Sequence, residues 1–212
     1  GSLAPGGEWV NGGPPKVWRQ SVTRSRELEQ SHVCLGTDSY PQKHEDRYVS
    51  YILNTILGGS MSSRLFQNVR EKRGLAYSVY SGLSAYRDAG NLTIYAGCAN
   101  EAVEQVVDLC AAELRLLKQE PVSEAELRRS KDHLKGSLML SLENTASRMS
   151  HLARQEIYFE RHFTLDETLA GVEAVTAEDV LRVANDLFQG GLAASVVGAG
   201  QPELTPARLS LD

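Results

Sequence analysis

Apolar side chains return every three or four residues through long stretches of this chain, which is the spacing of helices with one buried face. This pattern predicts a helix over about 43–57, a long helix beginning at Ser123, and later helices beginning near Ser147, at Thr164 and at Thr176. The most regular stripe predicts one further helix and consists of Val103, Val106, Val107, Cys110, Leu114 and Leu117.

Three of the predicted helices begin with a hydroxyl residue that is followed, three positions on, by an acid. In such a capping box the hydroxyl accepts from the acid's backbone N–H, and the carboxylate accepts from the N–H of the first residue. The three pairs are Ser123 with Glu126, Thr164 with Glu167, and Thr176 with Asp179.

Alternating apolar and polar positions predict strands near 17–24, 31–36, 75–83, 92–98 and 192–198. These strands lie in the first half and the last segment of the chain, and the helices lie mostly between them. That order indicates an α+β fold rather than repeated β-α-β units. The residues after Gly200 are expected to form a frayed tail.

The segment from Leu53 to Ser81 contains the most informative pair, because Tyr77 follows Arg70 by seven residues. Ser62 is expected to cap a helix whose apolar stripe includes Phe66, and Gly74 is expected to end it in the left-handed conformation. A strand should follow, with Leu75, Tyr77 and Val79 on one face and Ala76, Ser78 and Tyr80 on the other.

Position alone gives both residues of this pair an ordinary interpretation. Arg70 would be an exposed cation in the last turn of a helix, where the helix dipole favours positive charge. Tyr77 would be a core tyrosine, since it shares the predicted face of Leu75 and Val79.

The segment LFQNVREKRGLAY, with four others, resembles the C-terminal half of the pitrilysin/insulinase-type zinc peptidases, a group that includes the mitochondrial processing peptidase and bacterial homologues. The resemblance extends over residues 16–200. It is supported by HVCLG at 32–36, GGSM at 58–61, RMSHLARQEIYF at 148–159 and AVTAEDVLRVA at 174–184.

The resemblance implies a mostly antiparallel sheet with helices packed on one face. It also implies a zinc site of the form H-x-x-E-H in the N-terminal half of the enzyme, and no such motif occurs in this sequence. The five histidines never pair at three- or four-residue spacing, so we expect no metal ligands here.

What the resemblance assigns to this half is contact with substrate. Arg70 would hold a substrate carbonyl, and Tyr77 would donate to the oxyanion that forms when the peptide bond is attacked. Gly58 and Gly59 would end the 43–57 helix and border the substrate cleft. The alternative is a non-catalytic family member that serves as a scaffold or peptide-binding subunit.

The remaining features set the expected domains and partners. Residues 1–15 are interpreted as a tag-cleavage scar, Gly1-Ser2, followed by an interdomain linker; 16–200 is the peptidase-family domain and 201–212 the tail. Expected partners are an N-terminal zinc-bearing domain or subunit and a peptide or unfolded polypeptide. A homodimer is an open alternative, because an isolated half would expose its cleft-facing surface.

Composition excludes several other functions. A net charge of −5 with scattered Lys and Arg argues against nucleic acid. No apolar run reaches the roughly 20 residues that span a bilayer. The odd set of Cys34, Cys98 and Cys110 predicts reduced, packed thiols, which favours a cytoplasmic location.

Overall fold

The fold is that of a computed structural model, which describes residues 13–15 and 17–212. Five strands form one sheet in the order β1-β5-β2-β4-β3. Their neighbours are antiparallel except for the β1/β5 pair, which is parallel. The strands are β1 (Ser21–Ser25), β2 (Ser31–Ser39), β3 (Ala76–Ala85), β4 (Gly90–Cys98) and β5 (Ala193–Gly198).

The described residues form seven α-helices, which cover one face of this sheet or extend the helical layer on that face. Helices α1, α2 and α6 contact the strands directly, and α3 and α5 pack on α1. The predicted α+β fold with a mostly antiparallel sheet is therefore confirmed. The helices are α1 (Arg47–Leu57), α2 (Val103–Gln119), α3 (Glu124–Ser141), α4 (Thr145–Phe159), α5 (Leu165–Glu173), α6 (Ala177–Leu187) and α7 (Pro206–Leu209).

Helix α2 supplies the centre of the core, as its stripe predicted. All six stripe residues from Val103 to Leu117 have no accessible surface. Full burial of a side chain of this size contributes about 1.5–3 kcal/mol. Because α2 contacts both β2 and β4, these side chains join the helical layer to the middle of the sheet.

The three helix starts predicted at Ser123, Thr164 and Thr176 are confirmed, with one difference in the capping. Thr164 and Thr176 each form the complete capping box with the acid three residues later. Ser123 accepts from the backbone N–H of Glu126, but the Glu126 carboxylate binds the Arg64 guanidinium at 2.8 and 2.9 Å. An arginine offers two charge-assisted hydrogen bonds, so it outcompetes the single N–H of Ser123.

Helix α4 differs from its predicted packing. It begins at Thr145, close to the start predicted near Ser147, and the Asn144 side chain caps it. The apolar side chains that give this segment its helical spacing, among them Met149 and Ile157, are largely exposed, and the one buried residue of α4 is Gln155. The apolar stripe of α4 therefore belongs to the surface of this chain.

The expectation of a frayed tail after Gly200 is wrong. Leu209 and Leu211 are buried, and α7 packs on α2. Arg115 donates to the Ser210 carbonyl at 2.6 and 3.1 Å, and Lys118 donates to the Leu211 carbonyl at 2.7 Å. Buried leucines and satisfied carbonyls hold the last residues against the domain.

The described residues include little of the predicted linker but bear on the expected absence of a membrane-spanning segment. Most of the predicted linker, 1–12, lies outside the described residues, as does position 16. Among the helices that are described, none combines the length and apolar character that crossing a bilayer requires.

Candidate functional site

Arg70 lies on a π-helix rather than on the capped α-helix that the sequence predicted. The segment Phe66–Glu71 forms this wider helix, and the Lys72 N–H donates to the Gln67 carbonyl, five residues back, at 3.0 Å. Ser62 caps nothing; its hydroxyl pairs with that of Ser60 at 3.2 Å. Single π-turns are uncommon and occur often at functional sites.

The end of this helix follows the prediction. Gly74 has φ of +61°, and its N–H donates to the Arg70 carbonyl at 2.9 Å. A glycine adopts this left-handed conformation without the steric cost of a side chain. The chain then turns directly into β3, so Arg70 and Tyr77 are brought to the same end of that strand.

Tyr77 lies on the opposite side from the one that strict alternation predicts. Ala76 pairs with Cys98 and Ser78 with Gly97, so Tyr77 is the extra residue of a β-bulge. Ala76 and Val79 point into the core, whereas Tyr77 is 78% exposed. The interpretation of Tyr77 as a core tyrosine is wrong, because the bulge redirects its side chain.

The two side chains meet above the end of β3. The Arg70 guanidinium lies 4.8 Å from the ring centre of Phe66 and 5.3 Å from that of Tyr77. Its Nε is 3.7 Å from the Glu71 carboxylate, and in the described part of the chain neither its N–H groups nor the Tyr77 hydroxyl makes a hydrogen bond. Several donors therefore face solvent, held in place by aromatic contact.

Phe66 belongs to the Arg70/Tyr77 site, although the sequence indicated it only as part of an apolar stripe. Its position four residues before Arg70 could have indicated this contact, because side chains at that spacing meet on a helix.

Gly58 and Gly59 end α1, as predicted. The N–H groups of both donate to the Asn54 carbonyl, at 3.0 and 2.8 Å. The Gly58 carbonyl accepts from the Ser81 N–H at 3.1 Å, and a Cβ at Gly58 would lie 2.5 Å from that nitrogen. Gly58 thus permits α1 to contact the edge strand β3 at backbone distance.

The sheet face opposite the helices carries aromatic and small side chains. Tyr80 and Tyr95 lie 5.2 Å apart between ring centres, and the Tyr95 hydroxyl is 2.7 Å from His32 Nδ1. Cys34 is exposed on this face, which contradicts the expectation of three packed thiols. The other two thiols are buried, and burial raises the pKa of Cys98 to about 11.

A metal ion does not fit the described residues. Within 13–15 and 17–212, no three His, Cys, Asp or Glu side chains lie close enough together to hold one. The zinc that the sequence resemblance implies has no ligands in this part of the chain, and the chemistry available at the Arg70/Tyr77 end of β3 is hydrogen bonding to a polar group.

Residues 6–134 match a family model described as the peptidase M16 inactive domain. A protein of Bacillus subtilis (strain 168), named uncharacterized zinc protease YmxG, is 46% identical over 174 residues, covering 82% of this chain and 42% of the relative. An uncharacterized zinc protease of Mycobacterium bovis is 42% identical over 189 residues, covering 89% and 42%. The chain therefore spans less than half the length of the curated relatives that it matches.

Solved structures agree with the fold. A conserved protein from Enterococcus faecalis V583 is 27% identical with a TM-score of 0.76, covering 91% of this chain and 44% of its own. A peptidase M16 inactive domain from Pseudomonas fluorescens is 23% identical with a TM-score of 0.80, covering 90% and 47%. The chain belongs to the peptidase M16 family, the zinc peptidase family that its motifs indicated, and corresponds to the inactive C-terminal domain of that family.

Proposed function

We propose that this chain is the substrate-clamping half of a zinc metalloendopeptidase. In this proposal the domain closes over a cleft and presents Arg70 and Tyr77 to an extended peptide. Zinc would be bound outside this chain, by an N-terminal domain of the same polypeptide or by a partner subunit. The relatives' names and their greater length support that arrangement.

The observation that carries the proposal is the pairing of two backbone irregularities at one end of β3. A π-helix positions Arg70 and a β-bulge exposes Tyr77, and each irregularity forgoes regular hydrogen bonding. Their combined result is a cation and a phenol whose donors face solvent, with 5.3 Å between the Arg70 guanidinium and the centre of the Tyr77 ring. A domain that only packed against a neighbour would not require this arrangement.

These donors suit a peptide carbonyl that becomes negatively charged during cleavage. The guanidinium fork of Arg70 would orient the carbonyl oxygen, and the Tyr77 O–H would donate to the oxyanion. Each interaction strengthens as charge develops on that oxygen, which lowers the barrier rather than merely binding the substrate. β3 is an edge strand, so an extended peptide could lie alongside this end of the sheet.

The test uses the full-length protein. We expect Arg70→Ala and Tyr77→Phe each to lower kcat/KM by roughly 10- to 1,000-fold, the loss associated with one oxyanion donor. Tyr80→Phe is the matched control, because Tyr80 is also an exposed tyrosine of β3. Circular dichroism and Tm should be unchanged in all three variants.

Two results would contradict this role. Silent Arg70 and Tyr77 variants in an active enzyme would remove both residues from the reaction. Robust EDTA-sensitive cleavage by the 212-residue chain alone would show that the catalytic site lies within it, whereas we expect neither cleavage nor stoichiometric zinc binding.

A second candidate is a non-catalytic subunit that holds peptides or acts as a scaffold. It is favoured by the description of the matching family domain as inactive. The two candidates make different predictions for the full-length protein. A scaffold would bind peptide without hydrolysing it, even in complex with a co-purifying zinc-bearing partner, whereas the clamping half of an enzyme would support hydrolysis.

A further inference from the structure

A cavity lies among the helices, formed by residues other than those of the Arg70/Tyr77 site. It lies between α1, α3, α4 and α5 and is partly open to solvent, and none of its lining residues belongs to the π-helix or to β3. Its volume is about 340 Å³, within the range of small-molecule pockets. At about 30 Å³ per water-sized group, it has room for roughly eleven such groups.

The cavity has apolar walls that are already in position. Phe159 and Phe163 lie edge to face, with 5.1 Å between ring centres, and Leu134 and Leu138 of α3 also line the cavity. Tyr48 is held against α5, where a Cβ on Gly171 would come within 2.5 Å of its ring. Such close packing holds the Tyr48 side chain in position, so this wall of the cavity is formed before any ligand binds.

Positive charge is the unusual property of this apolar cavity. Arg47 and Arg154 line it, and no aspartate or glutamate does. The Arg47 guanidinium lies 4.5 to 5.1 Å from the ring centres of Tyr48, Phe159 and Phe163. Its side chain donates only to the Tyr48 hydroxyl, and in the described chain neither arginine is paired with a carboxylate.

A neutral histidine completes the polar part of the lining. The Gln155 amide oxygen accepts from the Phe163 N–H at 2.8 Å, so its amide nitrogen donates to His151 Nε2 at 2.7 Å. The His151 proton is therefore on Nδ1. Burial, together with Arg154, holds the pKa of His151 below its usual value of 6.5, so near neutral pH only the arginines are charged.

We infer that this cavity binds an amphipathic monocarboxylate, a small molecule with one carboxylate and an apolar body of about ten carbon atoms, the size set by the volume comparison above. The guanidinium of Arg47 would bind the carboxylate through its unused N–H donors, and the aromatic and leucine walls would enclose the apolar body. A neutral alcohol would leave the two cations unpaired, and a cation would be repelled by them. This inference is independent of any role for Arg70 and Tyr77.

The test titrates the 212-residue chain with decanoate by isothermal titration calorimetry, below the concentration at which decanoate forms micelles. We expect saturable binding at one site. Decan-1-ol and decyltrimethylammonium, which have the same apolar chain without the anion, should bind at least about tenfold more weakly, because a charge-assisted bond is lost.

Variants separate the site from nonspecific adsorption. Arg47→Met and Arg154→Met should each weaken decanoate binding by about tenfold or more. Arg161→Met is the matched control, since Arg161 also stacks on Phe163, at 4.2 Å, but lies outside the cavity and pairs with Glu167. Leu138→Trp should abolish binding by filling the cavity while both arginines remain, which keeps the test valid if an arginine variant folds poorly.

Equal affinity for decanoate and decan-1-ol would overturn the inference, as would equal loss in Arg47→Met and Arg161→Met. Binding to the 212-residue chain that disappears in the full-length protein would also overturn it, because the occupant would then be another part of that protein.

Discussion

Gly58 and Gly82 provide a matched pair of substitutions that should change stability in opposite directions. They lie on either side of one contact, where the bend after α1 meets β3 next to Ser81. A Cβ at Gly58 would be 2.5 Å from Ser81 N and 2.7 Å from Ser81 Oγ, whereas a Cβ at Gly82 would meet nothing within 4 Å.

The size of the Gly58→Ala effect follows from these distances. Ordinary contact begins at 3.4 Å, so the bend must move by about 0.9 Å (3.4 − 2.5) to admit the methyl group. Overpacking of this kind costs about 1–3 kcal/mol. The shift also breaks the 3.1 Å hydrogen bond from Ser81 N–H to Gly58, which adds about 1 kcal/mol.

We therefore expect Gly58→Ala to lower the free energy of unfolding by about 2–4 kcal/mol. For a chain of this length, that corresponds to a fall in Tm of roughly 4–16 °C. Gly82→Ala should raise the free energy of unfolding by about 0.5 kcal/mol, because alanine loses less backbone entropy on folding than glycine.

The assay is urea unfolding of both variants and the parent chain, followed by circular dichroism, with equal m-values as the check that the same cooperative unit is being measured. A Gly58→Ala protein as stable as the parent would refute the reasoning, since it would mean that the bend relaxes without losing its contact with Ser81. A destabilised Gly82→Ala protein would show that the space beside β3 is not open.

Two further predictions concern thiols and pH. In the folded chain, iodoacetamide should modify Cys34 but neither Cys98 nor Cys110. Cys34 is exposed, whereas the other two thiols are buried and burial raises the pKa of Cys110 to about 12. Mass spectrometry shows which thiols react, and modification of Cys110 before unfolding would contradict this prediction. The Arg182 hydrogen bonds, at 2.6 and 2.9 Å, hold the pKa of Asp46 below its usual 3.8, so the stabilisation is present above that pH and is lost as pH falls through the lowered pKa. Asp46→Asn should cost roughly 1 kcal/mol near pH 7, and progressively less as the pH falls through the lowered pKa of Asp46. Denaturant titrations at pH 7 and at a series of lower pH values measure this, and a difference that does not change with pH would remove the carboxylate from the explanation.

The sequence predicted those features that depend on local periodicity and local hydrogen bonds. The α2 stripe, the capping boxes at Thr164 and Thr176 and the left-handed Gly74 all follow from residues within a few positions of one another. At these three positions the partners are neighbours in the chain, so the local pattern alone was enough to predict the contact.

The features that were not predicted depend on distant residues. The Glu126 carboxylate does not complete the capping box at Ser123, because it binds Arg64, which lies nearby only in the folded domain. The exposure of Tyr77 depends on a bulge, which is visible only once β3 is aligned with β4. The arginine and tyrosine pair was found from family resemblance, while the two backbone irregularities that bring its members together left no pattern in the sequence.

The position of β5 in the sheet affects how this chain can be made. β5 lies between β1 and β2, and Ser21 pairs with Ala194, 173 positions later (194 − 21). On a ribosome, β2 would be complete 159 residues before β5 (198 − 39), an interval of roughly 8–32 s at about 5–20 residues per second. During that time β1 has no partner strand and one edge of β2 is open, so the nascent domain offers an unpaired strand edge to other chains. Closing the sheet is therefore a late step in making the domain, and it is during this interval that a chaperone would protect the domain from aggregation.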